Sequence, residues 1–241
     1  IMNTSEFYQN NTQQDWDTLL KPINYHYHFG FPGNTDNIFA NSVYENLFPF
    51  IKDNSKVLDC GCGWGGPAKL LMEEKNCDVT CVTNSSLQSN FLKEKNFKVI
   101  HKDLNWFMPD ERFDTAFFFE SFGHIKNQRL LLKNLSLTCN NIVFISHLSK
   151  DNNHINWDDW QGNSIPIPQL LAYTFDLGYS VKYVKHLDKV LTKDTIDYWQ
   201  SKINIIKPTY GQLAVLKELC ILGPKDKQYT LAPLHLIHLS L

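Results

Sequence analysis

The chain has 241 residues, of which 43% are hydrophobic and 13% aromatic, so it is long enough to close a sizeable core. Its formal net charge is -2, and its only arginines are Arg112 and Arg129, which argues against an arginine surface that reads phosphates. We therefore expect one α/β domain whose substrate is not nucleic acid.

The six cysteines lie mainly in apolar runs, and none of their spacings gives the ligand pairs of a zinc finger or ribbon. We predict no metal site. The longest apolar runs, 115–119 and 231–241, are shorter than the roughly 20 residues that cross a bilayer, and no basic stretch followed by an apolar one begins the chain. These features predict a soluble, cytoplasmic protein without a transmembrane segment.

The first 20 residues are polar and rich in Asn and Gln, so we expect them to order only by docking on the rest of the chain, as a lid. Residues 25–31 alternate along a short stretch that ends in a turn at 32–34. Residues 34–36 offer caps for a helix running through Ala40, Val43, Leu47 and Phe50.

From Lys56 onward, short apolar runs alternate with amphipathic segments, which is typical of βαβ units on a parallel sheet. The predicted strands are Val57–Leu58, Val79–Val82, Lys98–His101, Thr115–Phe119 and Ile142–Ser146. The predicted helices of this region cover 67–75, 85–95 and 126–138.

After Ser149 the pattern changes to a polar stretch that contains Trp157 and Trp160. A helix opened by a proline, a strand and further helices follow, and we expect them to cap the substrate side of the sheet. These elements are predicted at Pro166 or Pro168, at 181–184 and near 192–222. The run Leu234–Leu239 predicts a last strand that is antiparallel to the others.

A glycine-rich turn closes the first strand of the sheet, with glycines at 61, 63, 65 and 66 directly after Asp59. Such a turn lets a ligand approach the main chain, and one reading is a dinucleotide site. That site needs an acid near the end of the second strand, where this chain has Thr83 and Asn84 instead. The combination favours a cofactor with an amino-acid tail and a sulfonium over one with two phosphates.

The segments Val57–Gly66 and Val79–Gln88 together resemble the cyclopropane-fatty-acid synthase family of class I methyltransferases, which use S-adenosylmethionine. That family also includes mycolic-acid methyltransferases and plant alkaloid N-methyltransferases. The resemblance covers roughly residues 25–205 and is densest over 56–88. It implies a Rossmann-like fold with a mostly parallel seven-stranded sheet, an antiparallel last strand, helices on both faces and an N-terminal lid.

The resemblance also implies how the cofactor is held. Gly61 and Gly63 approach its methionine part, Thr83 and Gln88 replace the usual acid at the ribose, and Asp103–Leu104 flank the adenine. The full set of predicted cofactor-binding residues is Tyr27, Asp59, Gly61, Gly63, Trp64, Thr83, Asn84, Gln88, Asp103, Leu104 and Glu120.

Two residues at the carboxyl ends of neighbouring strands are the predicted catalytic pair. Glu120 follows the fourth strand and His147 ends the fifth, at the edge where open α/β sheets bind ligands. In the resembling family the matching glutamate and histidine help to hold a bicarbonate ion that serves as base. A third contact there is a tyrosine three residues before the position of Thr195, and this chain has Thr192 instead. This departure argues against cyclopropane formation.

We therefore predict a methyltransferase that acts on an amine nitrogen or an electron-rich carbon of a small molecule, with S-adenosylmethionine and possibly bicarbonate bound. The alternatives are a lipid-modifying enzyme or cyclopropane synthase acting on unsaturated acyl chains, and a non-catalytic binding module with the same fold. The predicted division of the single domain is an N-terminal lid with helices (1–50), a cofactor-binding core (51–149), a substrate cap (150–222) and the last strand (223–241).

Overall fold

The structure is a computed structural model that describes residues 8–31, 33–148, 155–157, 162–187, 193–207, 211, 213–214, 216–217 and 234–241. Its strands are β1 Lys56–Cys60, β2 Asp78–Thr83, β3 Lys98–His101, β4 Phe113–Phe119, β5 Cys139–His147, β6 Ile155–Trp157, β7 Gly162–Ser164, β8 Ser180–His186 and β9 Leu234–Ser240. Its helices are α1 Gln13–Leu20, α2 Ile38–Asn46, α3 Gly66–Lys75, α4 Ser86–Glu94, α5 Gln128–Ser136, α6 Ile167–Phe175 and α7 Lys193–Ile203.

Seven strands form one sheet in the order β3-β2-β1-β4-β5-β9-β8, and β6 and β7 form a separate hairpin. The first five strands are parallel, and β9 runs antiparallel to both β5 and β8. Strand β8 therefore runs in the same direction as the first five. This confirms the predicted fold class, including the single antiparallel last strand.

Alternate residues of the central strands face two different apolar layers, which is why these strands read as unbroken apolar runs in the sequence. Phe117 and Val143 belong to the layer that also holds the N-terminal region, whereas Phe118 and Phe144 belong to the layer on the opposite face. Phe118 and Phe144 are themselves stacked, with ring centroids 5.2 Å apart. Burial on both faces fixes the sheet between two layers of helices.

The described part of the polar N-terminal segment packs into the apolar layer on one face of the sheet through one stripe of α1. Its role as a lid stays a prediction. Trp16, Leu19 and Leu20 are fully buried there, and each contributes roughly 1.5–3 kcal/mol of burial free energy. A reciprocal capping box between Thr12 and Asp15 starts the helix. Within α1 itself, the polar side chains are exposed or half-buried, namely Gln13, Gln14, Asp15, Asp17 and Thr18.

Two local expectations differ from the structure. Helix α2 is capped by Asn37, whose side chain accepts from Phe39 N and Ala40 N, rather than by residues 34–36. The helix ends at Asn46, and Phe48–Phe50 forms a separate 3-10 turn because Pro49 has no N–H to continue the ladder. Within the described ranges, no helix has the length and hydropathy required to cross a membrane.

Candidate functional site

The glycine turn after β1 is packed at one position and open at another. Gly61 has a φ of +84°, and a Cβ built there would lie 2.5 Å from the Cβ of Ser121, so only glycine fits. Gly63 has a φ of +53°, and a Cβ built there would meet no atom of the described residues within 4 Å. The turn therefore exposes main chain to open space at Gly63, which a ligand can approach closely.

Asp59, the next-to-last residue of β1, is a buried carboxyl with an unused acceptor. It is 1% exposed, and Oδ2 has no hydrogen-bond partner among the residues that the structure describes. Burial raises the pKa of this carboxyl well above its usual value. Since buried polar atoms are nearly always paired, the free oxygen is suited to a ligand that brings hydrogen-bond donors.

Thr83 and Gln88 hold each other at the end of β2. The Thr83 hydroxyl donates to Gln88 Oε1 at 2.7 Å and accepts from Ser85 N at 3.1 Å. Both side chains are buried, and the Nε2 of Gln88 has no partner within the described ranges. The threonine thus orients a carboxamide whose two N–H donors remain available. Neighbouring Asn84 is half-buried, and its carbonyl oxygen lies 3.1 Å from His101 Nε2.

Asp103 and Leu104 lie beyond β3 and border the same turn. Asp103 Oδ1 accepts from the backbone and side chain of Asn105, both at 2.8 Å, which caps the 3-10 turn of residues 104–106. The Leu104 side chain comes within 3.7 Å of a Cβ built at Gly61. Trp106, beside them, is 68% exposed.

Trp64 and Tyr27 belong to an aromatic cluster that ties the lid to the glycine turn. Trp64 is 2% exposed, and its ring lies 5.2 Å from that of Trp16 and 5.3 Å from that of Phe91. Tyr27 packs edge-on against Trp16 at 5.3 Å and Trp199 at 5.8 Å. The structure therefore gives both residues a packing role, and their contact with a cofactor stays a prediction.

Glu120 stands directly after β4 in a left-handed backbone conformation, with a φ of +56°. Its Oε1 accepts a hydrogen bond from Phe29 N at 2.8 Å, and its own N–H donates to Ile145 O at 2.7 Å. Burial raises the pKa of this carboxyl from 4.5 to about 8, with the Phe29 N–H acting in the opposite direction. Glu120 is half-buried. A carboxyl with a strained backbone and a pKa raised to about 8, at the carboxyl edge of a sheet, is typical of a functional group.

His147 ends β5, next to β4 in the sheet, where Phe119 pairs with Ile145. Its ring meets the Phe29 ring edge-on, with centroids 5.5 Å apart and planes at 78°. Phe29 thus contacts both predicted catalytic residues, through its N–H and through its ring. Thr192 and Trp160 lie outside the described residues, and only the backbone of Trp157 is described.

Sequence reasoning assigned no role to His26, His28 or Thr195, which shape this edge of the site together with Phe29. The available signal was the alternation in residues 25–31, because His26 and His28 are buried while Tyr25, Tyr27 and Phe29 are half-buried. Thr195 could not be connected to this stretch, since its hydrogen bonds to Gly30 span 165 positions of the chain.

Residues 37–171 match the model of a protein family described as a methyltransferase domain. The chain belongs to this family. Its sequence is 37% identical over 130 residues to an (S)-tetrahydroprotoberberine N-methyltransferase of Eschscholzia californica, covering 48% of this chain and 37% of that protein. It is 34% identical over 130 residues to an (S)-coclaurine N-methyltransferase of Papaver somniferum, with the same coverage. The chain thus spans about two fifths of the length of these curated relatives.

Solved structures of methyltransferase folds resemble this chain over nearly its whole length. The cyclopropane synthase MmaA2 from Mycobacterium tuberculosis superposes with a TM-score of 0.78 at 13% identity, covering 99% of this chain and 97% of that one. A coclaurine N-methyltransferase bound to N-methylheliamine and SAH gives 0.76 at 19% identity, covering 98% and 81%. At these identities the likeness establishes the fold of the methyltransferase domain.

The Thr83–Gln88 pair gives a first testable prediction. Thr83→Val removes the hydroxyl that orients the Gln88 carboxamide, so we expect the Kd for S-adenosylhomocysteine to rise about tenfold, or about 1.4 kcal/mol. Thr80→Val is the control, because Thr80 is equally buried on the same strand but lies away from its carboxyl end. Equal affinities of the two variants in a calorimetric titration would contradict a role of this pair in binding.

Proposed function

We propose that the chain is an S-adenosylmethionine-dependent methyltransferase that methylates an amine nitrogen, or an electron-rich carbon, of a small molecule beside Glu120 and His147. The proposal rests on three features that lie at one edge of the sheet. They are the open glycine turn, the unpartnered oxygen of Asp59, and the carboxyl of Glu120, whose pKa is raised to about 8. The N-methyltransferases among the sequence relatives support an amine as the acceptor.

The unused polar atoms of the site suit this cofactor. We expect Asp59 Oδ2 to accept from the ammonium of the methionine part, and the backbone at Gly61 and Gly63 to approach its carboxylate end. The free N–H donors of Gln88, held by Thr83, suit the ribose hydroxyls. The remaining predicted contacts are Asn84, Asp103 and Leu104 at the ribose and adenine, and Tyr27, Trp64 and Glu120 at the reactive end.

When bound, the cofactor supplies a methyl group on a sulfonium, and the chain has to place the acceptor atom in line with it, about 3 Å away. An amine attacks only with its lone pair free, so a protonated acceptor must first lose a proton. Glu120 takes that proton at its carboxylate, while Phe29 N–H holds Oε1 in place. The ring of Phe29 packs edge-on against His147, and we expect the two side chains to border the bound acceptor.

A second candidate is a lipid-modifying enzyme that uses bicarbonate as base, favoured by the near-complete superposition on a cyclopropane synthase. Below about pH 8 a protonated Glu120 would donate a hydrogen bond to such an anion. Incubation with unsaturated phospholipid and labelled cofactor, followed by lipid mass spectrometry, separates this candidate from the first. A methylated or cyclopropanated lipid that forms only with added bicarbonate would favour it.

The proposal is tested by incubating the chain with methyl-labelled cofactor and a panel of small cyclic and aromatic amines. We expect label in an amine product, and we expect both Glu120→Gln and His147→Ala to reduce turnover. If both variants turned over the true substrate at the wild-type rate, the assigned roles would be wrong. A wild type that binds the cofactor but transfers no label to amine or lipid would contradict the proposed class of acceptor.

A further inference from the structure

Residues 26–30 form a strap that connects the glycine turn to the catalytic edge of the sheet. At one end, His26 lies against Gly66 at the start of α3, where a built Cβ would come within 2.7 Å of His26 Nδ1. At the other end, Phe29 N donates to Glu120 and the Phe29 ring packs on His147. The position of this strap therefore sets the hydrogen bond that Glu120 receives.

The peptide group between Phe29 and Gly30 is held from both of its edges. Its carbonyl oxygen lies 2.9 Å from His28 Nδ1, and its N–H donates to Thr195 Oγ1 at 3.1 Å. The same Thr195 hydroxyl donates to Gly30 O at 3.0 Å. Two side chains from distant parts of the chain thus fix the backbone immediately after Phe29.

The protonation states of the two histidines follow from their partners. Because a carbonyl oxygen only accepts, His28 Nδ1 carries the hydrogen, and neutral His28 then offers a lone pair at Nε2. His26 Nδ1 lies 3.0 Å from that atom and must be the donor. Burial lowers the pKa of His26 well below its usual value and that of His28 to about 4, so both are neutral at physiological pH.

We propose that His28 and Thr195 are positioning residues for Glu120: by holding the Phe29–Gly30 peptide, they keep the Phe29 N–H on Glu120 Oε1 and the Phe29 ring against His147. This inference rests on the proton-accepting role proposed for Glu120. Among the described residues, Tyr8 interacts electrostatically with Glu120, and Lys69 with His26.

The experiment is a ¹³C NMR titration of the Glu120 carboxyl in the full chain without substrate or cofactor, with Glu120→Gln used to assign the resonance. The matched pair is His28→Gln and His28→Asn. Both remove the ring that packs 4.4 Å from Phe119, but only asparagine places an amide N–H where Nδ1 was. Circular dichroism and Tm report whether each variant folds.

We expect His28→Gln to raise the Glu120 midpoint by about half to one pH unit, because a lost hydrogen bond to the carboxylate favours its neutral form. In His28→Asn the Glu120 midpoint should stay within about 0.2 pH unit of the wild type, because the asparagine amide still holds the Phe29–Gly30 peptide. Thr195→Val should shift the midpoint in the same direction as His28→Gln, and Thr195→Ser should restore it. This second pair tests the proposal even where the His28 variants fold poorly.

An unshifted midpoint in folded His28→Gln and Thr195→Val would overturn the proposal, as would equal shifts in His28→Gln and His28→Asn. The titration needs no turnover, so its failure is distinct from a failure of the proposed function. A shifted midpoint in a chain that transfers no methyl group would leave the positioning intact and refute the enzymatic role. An unshifted midpoint in variants of an active enzyme would refute the positioning role and leave the proposed function intact.

Discussion

Replacing Gly63 with alanine is expected to raise the Kd for S-adenosylhomocysteine about 100-fold, or about 2.7 kcal/mol, while the protein stays folded. The Cβ would project into the open space of the glycine turn, where we place the methionine part of the cofactor. The folding cost is separate, because alanine at a φ of +53° costs about 1–2 kcal/mol of backbone strain. Calorimetric titration and denaturant unfolding measure the two effects independently.

Gly178→Ala is the matched control for strain. Gly178 follows α6 with a φ of +90°, and its built Cβ would meet only Leu241, at an ordinary 3.7 Å. We expect this variant to lose at least as much stability as Gly63→Ala and to bind the ligand like the wild type. Wild-type affinity in Gly63→Ala would mean that the ligand does not lie against this turn.

Replacing Glu120 with glutamine is expected to lower kcat about 100- to 1000-fold, the usual range for loss of a general base. In the wild type, kcat/KM should rise about tenfold per pH unit and level off above about pH 8, since the carboxylate is the form that accepts a proton. The variant should lose this rise. A wild-type profile that is flat between pH 6 and 9 would contradict the assignment.

The same substitution is expected to stabilise the chain, and increasingly so at high pH. Below about pH 4.5 the carboxyl is neutral in both states, so it contributes no pH dependence there. Between pH 4.5 and about 8 the unfolded state releases its proton first, so the wild-type free energy of unfolding falls as pH rises. Glu120→Gln removes this loss, so its stability relative to the wild type should be roughly 4 kcal/mol greater at pH 8 than at pH 4.5.

Glutamine retains a side-chain oxygen that can accept the hydrogen bond from Phe29 N, so the gain in stability is not offset by loss of this hydrogen bond. Glu94→Gln is the control, because Glu94 is an exposed glutamate in the last turn of α4. Its free energy of unfolding should follow the wild type across the whole pH range. If Glu120→Gln also followed the wild type, the carboxyl would not be held in its neutral form by burial.

The sheet core was predictable because β1, β2, β4 and β5 are largely buried on both faces and leave short, mainly apolar runs in the sequence. Helix α1 was not predicted as a helix, because its apolar stripe is only three residues in a polar segment. The hairpin of β6 and β7 has strands of three residues, too short for a pattern to show. The place of β9 between β5 and β8 follows from tertiary packing and has no local signal.

The candidate site divides in the same way. Asp59, Thr83, Glu120 and His147 were predictable because each stands at the carboxyl end of a strand, and parallel strands bring those ends to one edge. The strap of residues 26–30 was not predictable, because its geometry depends on contacts between segments far apart in sequence. Phe29 meets Glu120 across 91 positions, and no local pattern encodes that pairing.

The central claim is that the carboxyl edge of the sheet binds S-adenosylmethionine with its methyl group beside Glu120. Calorimetric titration of the wild-type chain with S-adenosylhomocysteine tests this claim most directly. We expect one molecule per chain with a Kd of about 1–100 μM, or about 5.5–8.2 kcal/mol of binding free energy. No heat of binding at millimolar ligand, from a chain shown to be folded, would contradict the claim and leave a binding module that has lost its cofactor.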